Sequence, residues 1–231
     1  MRFANEGARV VVADRANAQE TLDLVATSGG TATAIICDVS NPESVAALKT
    51  EVESKIGQCD ILVNNAGIFP TQRFEDITFE DWRHVLSVNL DSMFLMTRAF
   101  ASGMRQRGWG RVINIASDTI SLLVPDFVHY ITSKAGVIGF TRSIATEFGA
   151  QGVTANAIAP GLTRTPGALS RKEAGGMTND ELFVLQANMQ SIKRSEEVSD
   201  LVGAVSFIAS DDAAFITGQT LYVNGGITRT T

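Results

Sequence analysis

The sequence predicts an α/β fold with a doubly wound, mainly parallel sheet and helices on both faces. Two observations carry that expectation. Short apolar runs of strand character alternate with stretches of helical period along the whole chain, and 231 residues is one domain's worth for such a fold. In folds of this kind ligands lie along the carboxyl ends of the strands.

The elements follow in order. Residues 1–7 read as the last turn of a helix closed by Gly7, and Ala8 to Ala13 as a strand ending in Asp14. Ala18 to Ala26 is a helix. Thr31 to Cys37 is a strand running into Asp38-Val39. Asn41-Pro42 opens a helix to about Ile56, with Asn as N-cap and Pro at the first helical position. Asp60 to Val63 is a short buried strand leading into Asn64-Asn65-Ala66-Gly67, where small residues let backbone approach a ligand closely. From Thr78 to about Arg107, Trp82, Val85, Leu86, Val88, Leu90, Phe94 and Leu95 recur at helical spacing, predicting one long helix with Asn89 inside it. An Asn is unfavourable there unless it bonds backbone groups. Arg111 to Ala116 is a strand, 118–126 an apolar loop, and the helix carrying Tyr130 runs to about Phe148. Val153 to Ile158 is the next strand, ending at Pro160-Gly161. Residues 166–193, with Gly167, Gly175 and Gly176, read as a mobile segment closing over substrate. Ser195 to Val198 caps a helix to about Ala209, and residues 218–226 form a last strand and turn. The whole chain, 1–231, reads as a single domain.

Composition excludes several classes. A formal charge of −6 and a pI near 5.0, with no Lys/Arg block, argue against nucleic acid and anionic membrane surfaces. No apolar run approaches the ~18 residues of a membrane span. Cys37 and Cys59 have no metal-ligand spacing, and neither His has partner ligands, so no metal site is expected. Two thiols at strand ends fit a reducing cytoplasm.

The chemistry is concentrated between Ser117 and Lys134. Tyr130 and Lys134, four residues apart on a helix, point into the same space. A cation beside a phenol favours the phenolate and brings Tyr toward the range where it donates and accepts protons. Ser117, at the end of the preceding strand, is positioned to hold a carbonyl oxygen. Tyr130 then protonates that oxygen as hydride arrives. His129, one residue earlier, points about 100° away from the phenol.

Ser117 thirteen residues before Tyr130-x-x-x-Lys134, Asn64-Asn65-Ala66-Gly67, Asn89 and Pro160-Gly161 together resemble the short-chain dehydrogenase/reductases, especially the branch of 3-oxoacyl-acyl-carrier-protein reductases and NAD-dependent alcohol and sugar dehydrogenases. The resemblance runs from about Phe3 to Ile227. It implies a nicotinamide dinucleotide as cofactor and a small alcohol or ketone as substrate. Catalytic roles then fall to Asn89, through a water relay, and to Ser117, Tyr130 and Lys134, the last also holding the ribose. Asp38 and Val39 would meet the adenine, Asn65, Ala66 and Gly67 would approach the dinucleotide, and Pro160, Gly161, Thr163 and Thr165 would meet the nicotinamide end. Asp14 argues for NAD over NADP, because a carboxylate there accepts from a ribose and repels a 2′-phosphate; Arg15 beside it weakens the preference. A homotetramer is the family expectation.

One departure stands out. The family's first strand and glycine-rich phosphate turn are absent, and Gly29-Gly30 cannot replace them because it lies between a helix and a strand. The expectation is a lost N-terminus, the missing strand lying between those that start at Ala8 and Ile61. Two rival readings are an NADPH-dependent 3-oxoacyl thioester reductase and a non-catalytic scaffold with impaired cofactor binding.

Overall fold

The structure, a computed structural model, describes residues 1–170 and 177–228. It opens with α1 (Arg2–Asn5), β1 (Arg9–Asp14), α2 (Gln19–Thr27), β2 (Thr31–Ile36), α3 (Pro42–Lys55) and β3 (Ile61–Asn64). After these come α4 (Phe79–Leu86), α5 (Ser92–Arg107), β4 (Gly110–Ile115), α6 (Val128–Phe148) and β5 (Val153–Pro160). The short β6 (Thr163–Arg164) and α7 (Pro166–Leu169), then α8 (Asn179–Met189), β7 (Glu196–Glu197), α9 (Val198–Ala209) and β8 (Thr220–Val223), complete the chain.

All strand pairings are parallel, as expected of strands linked by helical crossovers. β1 pairs with β2, and β3, β4, β5 and β8 form a second sheet in that order. No pairing joins β1 to β3 among the described residues, at the position where the sequence reading locates a further strand. The two sheets nonetheless share a core: Ile35 and Cys37 from the β2 side pack in one cluster with Leu62, Val112 and Ala155.

Alternation along the strands sorts the helices into two layers. Val112 of β4 faces the cluster built with α3, α5 and α6, whereas its neighbour Ile113 faces Ile208 and Ala209 of α9. α1 and α2 lie together, since a Cβ on Gly30 would collide with Ala4 and crowd Val25. β4 and β5 are buried on both faces, and the amides they carry, Asn114 and Asn156, are hydrogen-bonded inside the protein. The caps follow the sequence: Asn41 accepts from Ser44 N–H ahead of Pro42, and Thr78 and Asp81 form a reciprocal capping box.

Two expectations require correction. The long helix from Thr78 is interrupted by a π-turn, Ser87–Asp91, between α4 and α5. It contains Asn89, whose amide is drawn to neighbouring backbone rather than to solvent, and π-turns commonly mark functional positions. Second, the start of α9 is capped by Glu197 and Asp200, not Ser195. The segment 166–193, expected to be mobile, carries α7 and α8 where described, with residues 171–176 outside the described residues. Thr165 and Thr178 supply the caps that a reading weighted toward Gly overlooks.

Candidate active site

A cavity of about 660 Å³ opens at the carboxyl ends of β4 and β5. Its size is that of small-molecule sites. Ser117 enters it from the end of β4, Tyr130 and Lys134 from the first turns of α6, and Pro160, Gly161 and Thr163 from the end of β5.

The strand ends are locked by side chains. Asn64 Nδ2 donates to Asn114 Oδ1 at 2.8 Å and to Thr97 Oγ1 at 3.3 Å, and Asn114 Nδ2 donates to Thr141 Oγ1 at 2.9 Å. β3, β4, α5 and α6 are thereby tied by buried amides directly behind the site, an arrangement worth about 1 kcal/mol per bond. The Asn64 to Gly67 run leaves this lock toward the cavity, where Asn65 and Gly67 form part of the lining.

Lys134 is only 4% exposed, and its Nζ donates to Ile115 C=O at 2.7 Å. Burial pushes its ammonium down to about 8. The Nζ lies 5.8 Å from the centroid of the Tyr130 ring. Phe69 and Phe127 meet that ring edge-on, at 6.3 and 5.7 Å, so the phenol stands between two aromatic walls. Ser117 Oγ accepts from Thr119 Oγ1 at 2.9 Å and from Thr119 N–H at 3.3 Å, which fixes the hydroxyl at the cavity wall.

Asn89 is fully buried. Its Oδ1 accepts from Ile68 N–H, and its Nδ2 donates to Ile68 C=O and to Ser133 Oγ, all within 2.8–3.0 Å. A Cβ on Gly67 would sit 3.3 Å from Asn89 Oδ1 and 3.5 Å from Lys134 Nζ. The loop after β3 therefore lies close against both groups, and a side chain there would push Asn89 Oδ1 by a few tenths of an ångström while meeting Lys134 Nζ at ordinary contact.

The dinucleotide positions divide. Asn65, Gly67, Pro160, Gly161, Thr163 and Thr165 line the cavity with the Ser/Tyr/Lys set. The Thr163 hydroxyl donates to Glu196 at 2.5 Å, and the Thr165 hydroxyl accepts from Ala168 N–H as the cap of α7, so both are engaged within the protein. Asp14, Asp38 and Val39 lie outside this lining, at the carboxyl ends of β1 and β2. Asp14 Oδ1 accepts from Ala16 N–H and is exposed, while Asp38 Oδ1 accepts from Ser40, which holds its carboxyl below the usual range. For a dinucleotide's pyrophosphate, the described residues offer no glycine-rich turn from strand to helix.

Two groups escaped the sequence reading. Asp118, next to Ser117, is 2% exposed and lines the cavity; burial raises its carboxyl to about 7, with Glu196 adding repulsion against hydrogen bonds from Asn224 Nδ2, at 3.3 Å, and from its own backbone N–H. Glu196 is itself buried and raised, accepting from Thr163 and from Gly161 N–H. An Asp in a loop reads as solvated, so nothing local flagged it. His129 does not line the cavity that Tyr130 enters and is fully buried, with Nδ1 accepting from Tyr130 N–H and Nε2 without a partner.

Among the described residues no cluster of His, Cys, Asp or Glu is arranged to hold a metal, and no helix is long and apolar enough to cross a membrane.

A family profile described as enoyl-(acyl carrier protein) reductase matches residues 1–228. The 3-oxoacyl-[acyl-carrier-protein] reductase FabG of Vibrio cholerae is 34% identical over 227 residues, covering 97% of this chain and 89% of that protein. A Burkholderia xenovorans protein described as a short-chain dehydrogenase/reductase superposes with a TM-score of 0.93 at 34% identity, over 100% of this chain and 89% of that one. A gluconate 5-dehydrogenase of Burkholderia cenocepacia, in complex with NADP and tartrate, superposes with a TM-score of 0.89 at 31% identity, with the same coverage.

Proposed function

This oxidoreductase belongs to the short-chain dehydrogenase/reductase family, and on that premise we propose that it interconverts an alcohol and a ketone by hydride exchange with NAD(H), through Ser117, Tyr130, Lys134 and Asn89. The observation that carries the reading is the convergence of Ser117, Tyr130 and Lys134 on one cavity, with Asn89 buried behind.

The dinucleotide supplies the hydride. Everything else falls to the chain. The Ser117 hydroxyl holds the substrate oxygen, and the Tyr130 phenol gives it a proton in reduction or takes one in oxidation. Lys134, held by Ile115 C=O, keeps a positive charge near the phenol and favours its ionised form. Asn89 fixes the backbone around Gly67 and, through a water, links Lys134 to solvent. Phe69 and Phe127 exclude water from the phenol. The helices α7 and α8 cover the substrate and open to release product.

Family members use NAD or NADP, and the gluconate dehydrogenase relative holds NADP. The exposed Asp14 at the end of β1 supports NAD here. A homotetramer, cytoplasmic in location, completes the proposal; light scattering of the purified chain tests the assembly.

The test is nicotinamide fluorescence on titration with NADH and with NADPH, followed by turnover. Tyr130→Phe is expected to abolish turnover with NADH binding largely intact, and turnover near wild type removes Tyr130 from the chemistry. Asp14→Ala is expected to relax the preference for NADH, and unchanged discrimination refutes its role. A folded chain that binds neither dinucleotide refutes the enzymatic reading and favours a scaffold.

A further inference from the structure

We propose that the substrate is an uncharged ketone or secondary alcohol carrying an apolar body of aryl or branched alkyl character, rather than a polyol, a carboxylate or a phosphate-bearing thioester. The inference rests on the proposed alcohol/ketone chemistry at Tyr130 and specifies what the rest of the cavity accepts.

The walls around the phenol are apolar. Phe69 and Phe127 flank it, Leu122 and Val124 come from the loop after β4, and Leu182 and Met189 from α8. Apolar groups also stand open at this end of the molecule: Leu123 is fully exposed and Met189 58% exposed, both on the lining of the cavity. Covering such surface is worth ~25 cal/mol per Å², so an apolar ligand gains from contacts that a polyol leaves unused.

Four of the polar side chains on the lining are committed to the protein, which leaves Asn65, Thr71 and Gln186 among the described residues to meet a ligand's hydroxyls. Thr119 bonds Ser117, Ser121 bonds Tyr222, Thr163 bonds Glu196 and Thr165 caps α7. A polyol has more hydroxyls than these three side chains and Ser117 and Tyr130 can pair, and each one left unsatisfied costs ~1–3 kcal/mol.

Charge points the same way. Among the described residues lining the cavity Lys134 is the single cation, and it is engaged with Ile115 C=O beside the phenol. The lining carries two acids, Asp118 and Asp126, and Asp118 already holds its proton to about 7 under burial and the repulsion of Glu196. A substrate carboxylate would meet the same desolvation and the same repulsion.

The experiment is steady-state oxidation, with NAD and with NADP, of 4-phenyl-2-butanol, D-gluconate, D-sorbitol and 3-hydroxybutyryl-CoA, run beside saturation-transfer NMR of 4-phenyl-2-butanone and gluconate on the full chain. The expected result is a kcat/KM for the phenyl alcohol at least 100-fold above each of the other three, and saturation transfer to the ketone alone. Turnover of gluconate, sorbitol or the thioester within tenfold of the phenyl alcohol overturns the substrate class while leaving the reductase reading intact. Absence of turnover with all four overturns the reductase reading instead. The NMR arm then decides the class by itself, and transfer to gluconate without transfer to the ketone refutes it.

Discussion

Asp118→Asn isolates one buried carboxyl in a way that stability measurements read directly. In the folded chain this group keeps its proton to about 7, because burial penalises the charge and Glu196 repels it; its ordinary value is 3.8. Between those values the native state holds a proton that the unfolded chain has released, so stability falls as pH rises through that window and levels off above it. At ~1.4 kcal/mol per pH unit, the wild-type chain carries a penalty of roughly 4 kcal/mol above pH 7. At pH 5 the penalty is below 2 kcal/mol. The Asn side chain has no such titration, and its Oδ1 still accepts from Asn224 Nδ2, the one side chain bonded to Asp118. The other titrating groups are common to both proteins and cancel in the difference, apart from Glu196, whose repulsion with Asp118 is removed with the carboxyl. Urea unfolding at pH 5, 6, 7 and 8 is the assay. The advantage of Asp118→Asn is expected to grow by roughly 3 kcal/mol from pH 5 to pH 8, a midpoint shift of about 1 M for a chain of this size. A constant offset across the series would refute the reasoning, since it would mean that the carboxyl titrates alike folded and unfolded.

Two further predictions concern buried groups beside the phenol. Asn89→Ala removes three hydrogen bonds and leaves Ile68 N–H and C=O without partners, so it is expected to cost about 3 kcal/mol and to lower kcat at least tenfold by releasing Gly67 from Lys134; thermal unfolding and steady-state rates check both. Burial holds the His129 imidazole below its ordinary 6.5, so wild-type stability drops as pH falls through that value and the unfolded chain takes up a proton the native chain refuses. His129→Gln should flatten this acid limb, and an unchanged slope between pH 7 and pH 5 in chemical unfolding would contradict the assignment.

Much of the fold was legible because it rests on local physics. Gly7, Asn41-Pro42 and Thr78 mark element ends through their own φ preferences and side-chain caps, and β4 and β5 announce strands through short runs dominated by Val, Ile and Ala. Tyr130 and Lys134 were legible for the same reason, since i and i+4 on a helix share a face. The π-turn at Asn89 was not, because helical period passes through it almost unchanged while the side chain's partners, Ile68 and Ser133, come from elsewhere in the chain.

The sequence by itself determined the parallel α/β arrangement, the apolar loop on one wall of the cavity and the shared helix face of Tyr130 and Lys134. Tertiary structure alone decided that Lys134 gives up water for Ile115 C=O, that Asp118 lies buried near Glu196, and that Phe69 and Phe127 converge on Tyr130. Propensity, capping and periodicity act over a few residues and can be read along the chain. Desolvation and charge coupling depend on which distant segments close over a group, and only the folded packing brings those segments together.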